Sequence, residues 1–176
     1  RSDDRKRGSF NPDRPPKPNM SALLEENPAA QKLREYDPQA IEEAREFRGE
    51  VTLFIRQDRL RSVCEFLRDA PALKFKYLSD VTAVDLYPGE PRFEVVYHLL
   101  ALEPYQRLRL KVRLPGDDPK IESVVPIWPG ANAFEREVFD LMGIRFDGHP
   151  FLRRILLPED WEGHPLRKDF PTTGYR

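Results

Sequence analysis

The stretch RFEVVYHLLALEPYQRLRLKVRL, residues Arg92 to Leu114, decides the fold. In its second half Arg107, Arg109, Lys111 and Arg113 fall on one face of an extended chain, and Leu108, Leu110, Val112 and Leu114 on the other. A strict period of two is that of a strand with one dry and one wet face. The first half is rich in β-branched and aromatic residues, and Glu103-Pro104 marks a turn between the halves. The stretch therefore reads as an antiparallel hairpin. Upstream, LKFKYLSDVTAVDLY (73–87) has the same composition and is joined to the hairpin through Pro88-Gly89, which extends it to a meander.

Working outward, Val51, Leu53 and Ile55 alternate with Thr52, Phe54 and Arg56 as a further strand. Asp58 is placed to cap RLRSVCEFLRDA, where Leu60, Val63, Cys64 and Leu67 share one helical face and Pro71 ends the run. Ser21 before ALLEE, and Pro38 before QAIEEAREF with Gly49 behind it, predict two short helices. A last helix is predicted in ANAFEREVFDLMG, capped by Asn132, with Phe134, Val138, Leu141 and Met142 as its apolar stripe and Gly143 as its end. Four strands without βαβ alternation argue for an α+β fold: a two-layer domain with a mostly antiparallel four- to five-stranded sheet covered by helices.

A length of 176 residues suits one domain and an arm. Residues 1–20 hold four prolines and six cations and almost nothing apolar, which predicts an extended or disordered basic arm. Residues 21–143 would form the α+β domain, and 144–176 an extended tail. The total of 18 prolines is about twice the usual share, and eight of them lie between Pro115 and Pro171. A net charge of -1 argues against a nucleic-acid binder, and the basic face of the 107–114 strand reads as the wet side of a sheet. No apolar run approaches the roughly 20 residues of a spanning helix. No charged-then-apolar leader suggests secretion. The single cysteine, Cys64, forms no internal disulfide and reads as a small core residue in a reducing compartment.

Charged residues crowd the C-terminal third: Glu135, Arg136, Glu137 and Asp140 on the predicted helix, then Gly148-His149-Pro150, Arg153-Arg154, Gly163-His164-Pro165-Leu166 and Arg167-Lys168-Asp169. Arg136 and Asp140 are spaced to pair at i, i+4. A catalytic reading makes Glu135 or Glu137 a general base, but no nucleophile elbow or phosphate loop accompanies it. A metal reading uses His149, His164, Glu159 and Asp160, at a spacing that matches no standard short motif. The third reading is a proline-stiffened tail whose charges lock against a large partner by bidentate pairs.

The run WPGANAFEREVFDLMGIRFDGHPFLRRILLPEDWEGHPLRKDFPTTGY, Trp128 to Tyr175, resembles the 30-kilodalton subunit family of respiratory complex I, also called the C subunit of NADH-quinone oxidoreductase. The pattern ERE-x-x-D-x-x-G-I-x-F-x-G-H-P and the close G-H-P-L-R-K-D-F-P carry the resemblance. It departs from the family at Ala133-Phe134 and at Phe151.

The resemblance implies a non-catalytic structural subunit that holds no cofactor. FMN and iron-sulfur clusters would sit in other chains of a proton-translocating complex that passes electrons from NADH to quinone. The partners would be the 49-kilodalton-type (D) subunit and neighbouring iron-sulfur subunits. The chain would lie peripherally on the cytoplasmic or matrix face of the membrane, touching it only through the complex. Glu135, Arg136, Glu137, Asp140, Gly143, His149, Pro150, Arg153, Arg154, Gly163, His164, Pro165, Leu166, Arg167, Lys168 and Asp169 would form the subunit interface. Alternatives are the equivalent subunit of a ferredoxin-fed complex or membrane-bound hydrogenase, and a stand-alone metal-dependent enzyme.

Overall fold

A computed structural model describes residues 20–174. The predicted basic arm, all but Met20, lies outside the described residues. Two short helices, α1 (Met20–Glu26) and α2 (Pro28–Tyr36), come first. Between them Asn27 accepts hydrogen bonds from the N–H groups of Ala29 and Ala30, both at 3.0 Å, and Pro28 occupies the first helical turn, where its missing donor costs nothing.

The segment predicted as a helix after Pro38 is instead a strand, β1 (Ile41–Phe47), in a hairpin with β2 (Glu50–Ile55). Its Glu, Ala and Arg residues favour a helix, but only Ala40 and Ala44 are buried there, too little apolar surface to hold one against the core. Arg48 and Gly49 both have positive φ, 54° and 79°, the backbone of a tight two-residue hairpin turn. Gly49 therefore serves that turn and does not end a helix.

Helix α3 (Leu60–Asp69) buries Leu60, Val63, Cys64 and Leu67 as the periodicity requires. Asp58 does not cap it. It sits in a 3₁₀ turn (Gln57–Arg59) and forms a two-bond pair with Arg56, both bonds 3.0 Å long. Strands β3 (Tyr77–Asp85), β4 (Phe93–Leu102) and β5 (Tyr105–Leu114) form the meander. The sheet order is β1-β2-β5-β4-β3, antiparallel throughout except for β2 beside β5. A second, two-stranded parallel sheet pairs β6 (Lys120–Glu122) with β7 (Arg145–Asp147), and α4 (Ala131–Met142) lies between them in sequence. The N-cap position of α4 is Gly130, which has no side-chain cap, so Asn132 stands inside the helix and does not cap it.

One face of the five-stranded sheet is dry. Leu53, Val95, Tyr97, Leu99, Leu108, Leu110 and Val112 join Leu33, Leu60, Leu67 and Val138 of the helices in one core cluster. The opposite face carries the basic stripe, and its cations are largely matched in place. Lys111 pairs with Glu94 at 2.7 Å, Arg113 with Glu43 at 2.6 Å, and Arg109 with Glu50. Arg45 and Arg113 stack on the Phe54 ring, 4.6 and 4.1 Å from its centroid, which keeps that aromatic side chain buried on the wet face.

Candidate functional site

Helix α4 presents a buried face that mixes apolar and acidic residues: Glu135, Val138, Asp140 and Met142 are buried, while Phe134 and Leu141 are only half-buried. A helix leaves its last carbonyls without intrahelical partners. Here the segment after β7 folds back and supplies them. The N–H of Leu166 donates to the Leu141 carbonyl at 3.0 Å, Nε of Arg167 to the Met142 carbonyl at 2.6 Å, and Nδ1 of His164 to the Asp140 carbonyl at 2.8 Å. Two arginines, Arg154 and Arg167, thus come to the negative end of the helix dipole, where cations are favoured.

The Asp140 side chain is the hub. Its Oδ1 accepts from Nη1 of Arg154 at 2.6 Å, and its Oδ2 accepts the successive N–H groups of Ile155, Leu156 and Leu157 at 2.8–2.9 Å. Burial by itself would raise this carboxyl, but the Leu157, Arg154, Leu156 and Ile155 donors outweigh it and hold it at about 2. Nη2 of Arg154 continues to the carbonyls of Trp161 and Gly163, both at 3.0 Å. Gly143 sits at the junction with φ of 72°, and a Cβ there would lie 2.5 Å from Cδ2 of His164. Glycine is needed both for the left-handed turn and for the approach of the imidazole.

A second clamp holds the end of the segment. Buried Arg92 makes a two-bond pair with Asp85, at 2.8 and 2.9 Å, and reaches Asp169 at 2.8 Å. Asp85 also accepts the N–H of Lys168 at 2.8 Å. Arg92 and these donors hold the Asp85 carboxyl well below the ordinary range. Neither Asp85 nor Arg92 stood out in the sequence, because Asp169 lies 77 residues from Arg92 and no local pattern records the pairing.

The expected i, i+4 pair of Arg136 with Asp140 does not form. Arg136 donates to the carbonyls of Arg153 and Arg154, both at 3.0 Å, because Asp140 turns inward to Arg154. Glu135 is fully buried and accepts from the Ser123 hydroxyl at 2.6 Å and the Val124 N–H at 2.7 Å. Burial pushes its carboxyl up to about 7. Glu137 is exposed on α4, as is Pro150 in its loop.

His149 has both ring nitrogens engaged: Nδ1 accepts the Phe151 N–H at 3.0 Å, so Nε2 donates to the Asn132 carbonyl at 3.2 Å. Glu159 stands exposed beside Arg153, 3.8 Å away, and Asp160 is exposed. The metal reading finds no assembled ligands, since no three His, Cys, Asp or Glu side chains are placed to hold an ion among the described residues. Burial lowers both His149 and His164, which fits neutral rings acting as hydrogen-bonding struts.

Charges read from the sequence as reaching for a partner are therefore matched largely within the chain. Between exposed Arg153, Glu159, Asp160 and Glu162, the pinned segment also turns large apolar side chains outward: Phe151, Ile155, Leu156, Trp161 and Leu166 are 40–60% exposed. Single exposed apolar side chains are ordinary; here five fall within sixteen residues, on a segment held by buried charges. No described helix is long and apolar enough to cross a membrane.

Known proteins are similar to this chain over most of its length. The C subunit of NADH-quinone oxidoreductase from Roseiflexus sp. (strain RS-1) is 50% identical over 141 residues, covering 80% of this chain and 81% of its own. The protein of the same name in Geobacter sulfurreducens is 48% identical over 153 residues, covering 86% and 93%. Among solved structures, the trypsin-resistant fragment of Nqo5 superposes with a TM-score of 0.56 at 32% identity, covering 76% of this chain and 98% of the fragment. A chain of the membrane-bound sulfane sulfur reductase, an archaeal respiratory membrane complex, superposes with a TM-score of 0.68 at 28% identity, covering 81% and 83%. With residues 53–176 matching the family described as respiratory-chain NADH dehydrogenase, 30 Kd subunit, and with these relatives sharing about half their residues, the chain belongs to that family.

Proposed function

We propose that this chain is a structural subunit of the peripheral arm of a proton-translocating NADH:quinone oxidoreductase, with no catalytic residue of its own. Its 151–166 segment docks a 49-kilodalton-type subunit, FMN and iron-sulfur clusters reside in other chains, and the whole arm lies on the cytoplasmic or matrix face of the membrane. The observation that supports this most is the pairing of a rigid polar hub with an exposed apolar strip. Asp140 and Arg154 hold the segment in one path, and Phe151, Leu156, Trp161 and Leu166 project from it. Preorganisation of this kind lowers the ordering cost of association.

Leu156→Asp and Trp161→Asp place charges on the strip and keep the backbone N–H and carbonyl that these two residues give the hub. Both chains are expected to fold as the wild type does and to co-purify poorly with a cluster-bearing assembly. Normal incorporation of both would overturn the docking role. A second reading, the equivalent subunit of a respiratory membrane complex of another kind, has its support in the likeness to the archaeal sulfane sulfur reductase chain. In either assembly the same strip would dock.

A further inference from the structure

The wet face of the sheet is not uniform. Away from the hairpin turns the cations of this face have carboxylates, as Arg45 and Arg113 have Glu43, and Lys111 has Glu94. At the end where the β1–β2 and β4–β5 hairpins turn, the matching stops. Arg107 donates only to the Tyr105 hydroxyl, at 3.1 Å, and has no carboxylate partner among the described residues. The His98 ring makes no hydrogen bond among those residues, and burial together with Arg109 lowers its pKa.

These residues line a groove of about 430 Å³ that also includes Glu50, Asp80 and Arg109. Glu50 is taken by Arg109. Asp80 stands on the β3 side, opposite His98 in the strand register. The groove is thus cationic along β5 and anionic along β3.

Strand register brings four exposed apolar side chains to the same end. Phe47 pairs with Glu50, Thr52 lies beside Arg109, Leu102 faces Tyr105 across the hairpin, and Tyr77 faces Leu100. Phe47, Tyr77, Leu102 and Tyr105 are 69, 56, 52 and 66% exposed. Tyr105 and Leu102 stand on the hairpin of Arg107, and Phe47 and Tyr77 flank it from the two edge strands; aromatic side chains and arginine are the residues enriched in protein-binding hot spots. A nucleic acid would meet too little free positive charge here, since the neighbouring cations of the stripe are matched by carboxylates.

We infer that this end of the sheet is a second docking surface, which takes an extended acidic segment of another protein chain that crosses the sheet between Phe47 and Tyr77 and places one of its carboxylates on Arg107 beside Tyr105. The inference rests on the chain's place in a larger assembly but not on the 151–166 strip. With two surfaces the subunit bridges two neighbours. The entering carboxylate supplies the partner that Arg107 lacks within its own chain, and a guanidinium binds a carboxylate through two parallel bonds.

The test uses the intact complex carrying Arg107→Lys, treated with a water-soluble carbodiimide, which joins a lysine amine to a carboxylate it touches. Hydroxyl-radical footprinting of the wild-type complex and the isolated full chain runs alongside. The expected result is a cross-link from position 107 to an Asp or Glu of a different subunit, with loss of most oxidation at Phe47 and Tyr105 on assembly. A link confined to this chain or to a second copy of it overturns the inference, as does equal oxidation of Phe47 and Tyr105 in both states. If Trp161 is protected on assembly and Phe47 and Tyr105 are not, the second surface fails and the strip stands. The reverse pattern retires the strip and keeps the sheet end.

Discussion

Replacing Asp140 with asparagine keeps the shape of the side chain and removes its charge. All four donors now aimed at the carboxylate remain: the Arg154 guanidinium and the N–H groups of Ile155, Leu156 and Leu157. An amide has one acceptor oxygen, and its NH₂ would face donors with nothing to accept from it. The carboxyl falls from the ordinary 3.8 to about 2 on folding. That shift is worth about 2 kcal/mol of stability. Because the folded value is the lower one, this contribution is complete above about pH 5 and fades as pH falls through 3.8 toward 2. Leaving Arg154 without its counter-charge adds to the loss, so Asp140→Asn should cost about 2–4 kcal/mol at pH 6.

Urea unfolding of the two chains, followed by tryptophan fluorescence, measures it. Trp128 lies in the core and Trp161 on the pinned segment, so single-tryptophan versions separate the two regions. At pH 3 about half the charge-dependent part is gone, and the gap between wild type and variant should narrow by about 1 kcal/mol. Equal stability at pH 6, or a gap of the same size at both pH values, would refute the claim that a buried carboxylate organises this segment.

Gly143→Ala puts a methyl group 2.5 Å from His164 at a left-handed backbone position, so the chain should lose about 1–3 kcal/mol and expose the 148–163 loop to proteolysis. Unchanged thermal stability and cleavage would contradict the close packing. Glu135 behaves oppositely to Asp140: its folded pKa, about 7, lies above the ordinary 4.5, so stability declines as pH rises between those values, by about 3 kcal/mol. Glu135→Gln, which can still accept from Val124 and donate to Ser123, should remove that decline, and urea midpoints at pH 5 and pH 8 will show whether it does.

Much of the fold is legible in the sequence where burial repeats with a regular period. Leu108 to Leu114 alternate because one side of β5 faces the core, and Leu60, Val63, Cys64 and Leu67 recur because one side of α3 does. The family pattern also marks the right segment, with Asp140, Gly143, Arg154 and His164 all at the hub. The roles of its charges were not legible. Arg136 and Asp140 have helical pairing distance, yet each finds a better partner on a segment that returns from farther along the chain. Neither was the Arg92 clamp, whose members come from the end of β3, the residue before β4 and the last turns.

By itself the sequence determined the α+β class, four strands, the positions of α3 and α4, and the family, since alternation, helical period and contiguous motif are all local records. Only the tertiary structure decided that the residues after Pro38 form a strand, because the Ala- and Glu-rich segment has no buried stripe to stabilise a helix and β2 offers it a ladder. It also decided that the charges of the C-terminal third hold the chain to itself. The carbonyls at the end of α4 and the buried Asp140 carboxylate need partners once water is excluded, and the nearest donors lie in a segment that only folding brings to them.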